Sequence, residues 1–151
     1  MRRISLLLVL FSALISSAQN TDYSEVEQGV HGVLSAQQNA WNRRDLDAFM
    51  SGYWNSPELT FFSGAEVHSG WQATMDRYRQ RYQSAGHEMG RLEFSDVTIQ
   101  PLAADAAFVR GTWHLTMADG KMPHGLFTLV FRKFPDGWKI IHDHTSAADE
   151  K

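Results

Sequence analysis

The chain has no cysteine. That excludes disulfides, thiolate nucleophiles and cysteine-held metals, and leaves packing to hold the fold together. It also lacks a hydrophobic run long enough to span a bilayer: the longest uncharged apolar stretch, Ile4 to Ile15, has 12 residues against the roughly 20 a membrane helix needs. No Gly-x-Ser-x-Gly elbow, phosphate loop or dinucleotide fingerprint occurs, so three common chemistries lose their sequence markers. Internal repeats and low-complexity tracts are absent too.

What the N-terminus does have is a processing pattern. Arg2 and Arg3 precede the apolar run, and Ser16-Ser17-Ala18 follow it, the order of a signal peptide cut after Ala18. Residues 1–18 are therefore expected to be a leader. Residues 19–151 then form a single domain of ordinary size, exported to a periplasm or secreted. Without Arg2 and Arg3, 12 basic residues face 17 acidic ones, a formal charge of −5. That balance argues against nucleic acid as a partner, and against a membrane surface once the leader is removed.

Residues 22–41 read as an amphipathic helix, with Val26, Val30, Val33, Leu34, Gln37 and Trp41 on one stripe. Ser24 with Glu27 fits a capping box. Asp45 is a good N-cap for a short second helix bearing Leu46, Phe49, Met50 and Tyr53. Leu59 to Phe62 is a strand candidate. Ser69 with Gln72 suggests another capping box, opening a third helix to about Tyr82. Its inner stripe is Trp71, Met75, Tyr78 and Tyr82, and Arg77, Arg79 and Arg81 point elsewhere. Ser84 to Gly90 reads as a mobile loop.

Four strands follow, beginning near Leu92, Ala106, Gly125 and Trp138. The parity slip at Ser95-Asp96 predicts a β-bulge. Pro135-Asp136-Gly137 predicts a hairpin turn, with glycine taking a positive φ. Three helices ahead of a meandering, mostly antiparallel sheet make an α+β arrangement. Both faces of the strand at 106–117 and of the strand at 125–134 carry apolar residues, so each face of the sheet needs a cover. Helices cover one; a second copy, in a homodimer through the outer face, is the simplest cover for the other.

On one parity Arg110, Thr112 and His114 interrupt the apolar pattern. Facing the helices, they would form a polar floor beneath Trp41, Tyr53, Phe61 and Tyr78, the makings of a ligand pocket. Equally, Arg110 could pair with an acidic neighbour and His114 be a satisfied histidine. The chain's end, His142-Asp143-His144-Thr145-Ser146, is unusually polar for a strand. A metal held by His142 and His144 would need a third ligand from His114, His68 or Asp143. His114 lies on the opposite parity from that pair, so no metal site is assigned. Ser146 falls in a fraying tail.

The segment Ala40-Trp41-Asn42-Arg43-Arg44-Asp45-Leu46-Asp47-Ala48-Phe49 resembles the A-W-N-x-x-D-x-x-x-F junction between the first two helices of many NTF2-like domains. The end from Asp136 to Ser146 resembles the last strand of that superfamily. The likeness spans nearly all of residues 22–146. It is similar to the DUF4440 and SnoaL-like branches and to the association domain of calcium/calmodulin-dependent kinase II. This implies an NTF2-like cone, a curved sheet wrapped around three N-terminal helices, usually dimeric.

The resemblance puts Arg110, His114, Asp143 and Thr145 on the pocket side, and His142 and His144 at the rim or outer face. Of three pocket positions that carry arginine in the kinase domain, Arg110 keeps one, and Leu129 and Thr145 replace the others. The fold hosts isomerases, cyclases, dehydratases and plain binding modules. Two functions stand side by side. One is binding of an unknown small apolar or amphipathic molecule by Trp41, Tyr53, Phe61, Tyr78, Arg110, His114, Phe127, Asp143 and Thr145, with Trp54 as further stacking surface. The other is isomerase-, cyclase- or dehydratase-like catalysis, with Asp143 or His114 as acid or base and a tyrosine as oxyanion donor. Neither implies a cofactor.

Overall fold

The computed structural model describes the backbone of residues 4–85 and 88–148, and side chains from Tyr23 onward. The leader expected at residues 1–18 therefore lies outside the described side chains, as do residues 86 and 87 of the expected loop. Among the described residues no helix is long and apolar enough to cross a membrane.

The elements run α1 (Ile4–Asn42), α2 (Leu46–Met50), β1 (Thr60–Ser63), β2 (Glu66–Ser69), α3 (Trp71–Tyr82), β3 (Arg91–Ala103), β4 (Ala106–Thr116), β5 (His124–Phe134) and β6 (Gly137–Thr145). The strands form one curved, open sheet in the order β2-β1-β6-β5-β4-β3. Every pairing is antiparallel except β1 with β6. This is an α+β architecture with the helices gathered on the concave face.

Helix α1 buries Val26, Val30, Leu34, Gln37 and Trp41 against the sheet. It ends where Arg44 turns left-handed (φ 62°) and backbone bonds close back onto Trp41 and Ala40, a common way to satisfy terminal carbonyls. Asp45 then caps α2, accepting from the Ala48 amide at 3.0 Å. Side chains of α1 also serve the edge strand β3. Asn42 exchanges two hydrogen bonds with the Leu92 backbone, and Gln38 accepts from the Phe94 amide, which covers an otherwise free edge.

The predicted bulge is present: the β3–β4 register shifts between Ser95 and Thr98, and Asp96 takes φ 52°. The β5–β6 turn is present as well, with Gly137 at φ 114°.

Three local readings need correction. Ser24 lies inside α1 rather than capping it. Ser69 belongs to β2, a strand the sequence did not suggest, and α3 starts from Gly70 with no side-chain cap. The tail does not fray at Ser146: the Ser146 and Ala148 amides still bond to the Leu126 and His124 carbonyls of β5, each at 2.9 Å.

The described end of the loop before β3 is pinned. Met89 is buried, Trp41 donates to the Gly90 carbonyl, and Glu88 accepts from the Ala118 amide.

The inward parity of β4 is Ala107, Val109, Gly111, Trp113 and Leu115, which meets Phe127, Leu129 and Phe131 of β5. Gly111 shows why. A Cβ there would lie 2.4 Å from the Phe127 ring, so the missing side chain makes room for that ring in the concave face. Phe108, Arg110, Thr112 and His114 consequently face outward.

Candidate functional site

Asp143 sits in β6 between Phe61 of β1 and Leu129 of β5. Apolar neighbours on both sides leave it 4% exposed. Its Oδ2 accepts a 2.7 Å hydrogen bond from the Tyr53 hydroxyl, and the Tyr78 hydroxyl lies 3.3 Å from that of Tyr53. Tyr53 is held in place because the chain around it is stitched to β6. The Trp54 amide donates to the Ile140 carbonyl and the Ile140 amide to the Gly52 carbonyl, each at 2.9 Å. Tyr78 arrives from the inner stripe of α3. Asp143 Oδ1 is shielded from solvent and has no hydrogen-bond partner.

Burial pushes the Asp143 carboxyl up to about 7, held back by the Tyr53 bond and the positive charge of Arg77. Burial, followed by the nearby Asp143 charge, also raises both tyrosines, so they remain protonated donors. Tyr53 spends its single hydrogen on Oδ2. When Asp143 is protonated, Oδ1, which has no partner, is the oxygen left to carry the hydrogen and donate it.

These groups border a cavity of about 550 Å³, within the range of small-molecule sites. Its aromatic wall is tightly interlocked. Trp41 meets Tyr82 and Phe49 edge-on at 4.8 and 5.2 Å, and Phe94 meets Phe127 at 5.3 Å. Tyr82, Trp113 and Leu115 also line a second groove of about 670 Å³ that reaches Met117 and Pro123.

Of the residues named from sequence, Trp41, Tyr53, Phe61, Tyr78, Phe127, Asp143 and Thr145 line this cavity. Arg110 and His114 do not. Arg110 is exposed, its guanidinium 5.9 Å from the Phe108 ring. His114 bonds to Ser95 through Nε2 at 3.0 Å and stacks on His124 at 5.8 Å. The family resemblance places both on the pocket side, but Gly111 and its apolar neighbours occupy the inward parity. His114 is thus removed as a candidate acid or base, and the polar floor under the aromatics does not exist.

Trp54 stacks on Phe134, away from the cavity. His142 and His144 lie on the outer face around Phe62, and His142 bonds to Thr60 at 2.6 Å. Burial and then the neighbouring His144 lower the His142 pKa. Among the described residues no three His, Cys, Asp or Glu side chains gather as a metal-binding group.

The cavity's cations come from α3, where the sequence reading turned them away. Arg77 and Arg81 both line it. Their i, i+4 spacing places them on one helical face beside the Tyr78–Tyr82 stripe, a signal that was available. Arg77 is well fixed: it donates to Ser63 Oγ at 2.6 Å, and its guanidinium lies 5.0 Å over the Phe61 ring. Its Nε is buried without a hydrogen-bond partner. The nearest carboxylate, Glu66, stands 3.9 Å away on a side chain 71% exposed, too long and too wet for a strong pair.

A family model described as "SnoaL-like domain" matches residues 30–150. An NTF-2 like protein of unknown function from Shewanella oneidensis MR-1 is 36% identical, covers 80% of this chain and 98% of its own, and superposes with a TM-score of 0.74. An NTF2-like superfamily protein from Salmonella enterica is 20% identical over 85% of this chain and 95% of its own, with a TM-score of 0.70. A putative calcium/calmodulin-dependent protein kinase type II association domain from Thiobacillus denitrificans is 24% identical over 79% and 94%, with a TM-score of 0.67. These last two share the fold. No curated protein matches the sequence.

Proposed function

The chain belongs to the SnoaL-like family of NTF2-like domains, and on that premise we propose that it binds a small amphipathic molecule inside the cone. The observation that carries this reading is Asp143. A carboxyl with one oxygen buried and unpartnered, at the wall of an aromatic cavity of about 550 Å³, costs stability unless another group completes it. A ligand with an apolar body and an oxygen at one end supplies that group. Calorimetric titration with 2-naphthalenemethanol tests the reading. One molecule binds per chain, and Thr145→Trp, which obstructs the cavity from its lining, abolishes the heat. Equal binding by that variant rejects the cone as the site.

A second reading is proton transfer. It is favoured by the position of the Asp143 pKa, about 7, where a carboxyl serves equally as acid and base. Asp143 would take a proton from a carbon next to a carbonyl and return it elsewhere, with the Tyr78 hydroxyl facing the developing oxyanion. Deuterium exchange into the methyl group of 2-acetylnaphthalene, followed by proton NMR, decides it. Catalysed exchange should fall roughly 100-fold or more in Asp143→Asn; no acceleration by the unaltered protein rejects this chemistry.

The setting of this site is proposed with it. Arg2, Arg3 and the apolar run before Ala18 support export to a periplasm or the medium. N-terminal sequencing of the protein recovered outside the cytoplasm should begin near Gln19. Leu126, 64% exposed, together with half-buried Phe108 and Val130 farther along the same outer face, supports a homodimer through the sheet. Light scattering should return twice the chain mass.

A further inference from the structure

We propose that the ligand is a small carboxylate-bearing amphiphile whose anionic end is held by Arg77 and whose second oxygen meets Asp143. The inference rests on the reading of the cone as a binding pocket, and adds to it the chemical class of what is bound.

Two polar atoms with no partner, Arg77 Nε and Asp143 Oδ1, belong to side chains bordering the same cavity. They are not bonded to each other, yet Arg77 is near enough for its charge to act on Asp143. An arginine N–H can only donate. Asp143, with Oδ2 already receiving the Tyr53 hydrogen, donates from Oδ1 when protonated. Two donors on one cavity call for a ligand with two acceptor oxygens.

Charge decides which oxygen is anionic. The charged side chains lining the cavity are Glu66, Arg77, Arg81 and Asp143. Glu66 is mostly in water, and the guanidinium of Arg77 is fixed by Ser63 and Phe61 with its Nε left over. With Asp143 protonated, the site carries a net positive charge, and arginine donors suit a carboxylate. Phe61, Tyr78, Phe127 and Leu129 offer apolar surface for the rest of the molecule. Both unpartnered atoms are shielded from solvent, so the ligand must nudge the rings beside them as it seats.

The test compares 2-naphthoate with methyl 2-naphthoate by calorimetry at about pH 6, where Asp143 keeps its proton and the free acid is ionised. The acid should bind at least tenfold more tightly than the ester; any smaller preference overturns the inference. In Arg77→Gln the preference for the acid over the ester should vanish, and a preserved preference also overturns the inference. Arg77→Lys keeps the charge and should retain a preference for the acid. If these variants fail to fold, as judged by circular dichroism, the comparison in the unaltered protein still decides. If neither compound binds, the pocket reading itself fails. If the ester binds as well as the acid, the pocket stands and only the carboxylate is lost.

Discussion

Tyr53 and Asp143, 90 residues apart in sequence, share a buried 2.7 Å hydrogen bond at the wall of the cone. The bond ties the end of the second helical segment to the last strand, so the fold and the site depend on the same contact. In Tyr53→Phe the Asp143 carboxyl loses its one partner. Urea unfolding at about pH 8 should show a loss of about 1–3 kcal/mol, the usual cost of stranding a buried polar group. The Asp143 pKa should rise further, because the Tyr53 bond holds it down. An unchanged midpoint would mean the hydroxyl is dispensable.

Stability should depend on pH in a direction opposite to that of a salt-bridged aspartate. The folded Asp143 pKa of about 7 stands above the ordinary aspartate value of 3.8, so between these values the folded chain binds the extra proton. Its contribution is fully present below about pH 4, declines as pH rises, and is gone above about 7. At roughly 1.36 kcal/mol per unit the ceiling is about 4 kcal/mol. Asp143→Asn should flatten this part of the profile in urea titrations from pH 4 to 8. A profile that keeps its slope in the variant would place the titrating group elsewhere.

Gly111 sets the shape of the cavity through its neighbour. In Gly111→Ala the new methyl group meets the Phe127 ring, which must move into the space a ligand would use. Thermal unfolding should register about 1–3 kcal/mol of overpacking, and affinity for 2-naphthalenemethanol should fall. Unchanged affinity would show that Phe127 does not border the bound molecule.

Arg110 and His114 give the complementary test. Both point away from the cone, so Arg110→Ala and His114→Ala should leave probe affinity unchanged. For exposed Arg110 stability should stay within about 0.5 kcal/mol. A tenfold loss of binding in either variant would restore the inward assignment.

Those two residues also mark where the sequence stopped being readable. The helices, the bulge at Asp96 and the turn at Gly137 were legible because each is written in local spacing or in a residue with restricted dihedrals. Asp143 could be placed beside the aromatics because the fold family fixes the last strand. The facing of β4 was not read correctly. Its two parities are both rich in apolar residues, and motif alignment outweighed the plainer rule that charged side chains turn outward. Gly111 held the answer, but only the Phe127 ring opposite it reveals why. Strand β2 was missed because Glu66 to Ser69 is short and mostly exposed, with little hydrophobic pattern to announce it. Arg77 is a different case: its i, i+4 spacing with Arg81 beside the Tyr78–Tyr82 stripe is visible in the sequence, but the contacts that fix it, Ser63 and Phe61, lie outside the helix.

The central claim concerns Asp143 as the polar contact of a bound molecule, and carbon-13 NMR of aspartate carboxyls tests it most directly. The Asp143 resonance is identified by its disappearance in Asp143→Asn. It should titrate near 7, well above the ordinary aspartate range, and should shift when 2-naphthalenemethanol saturates the protein while exposed aspartates stay fixed. A resonance that titrates near 4 and ignores the saturating probe would contradict the account.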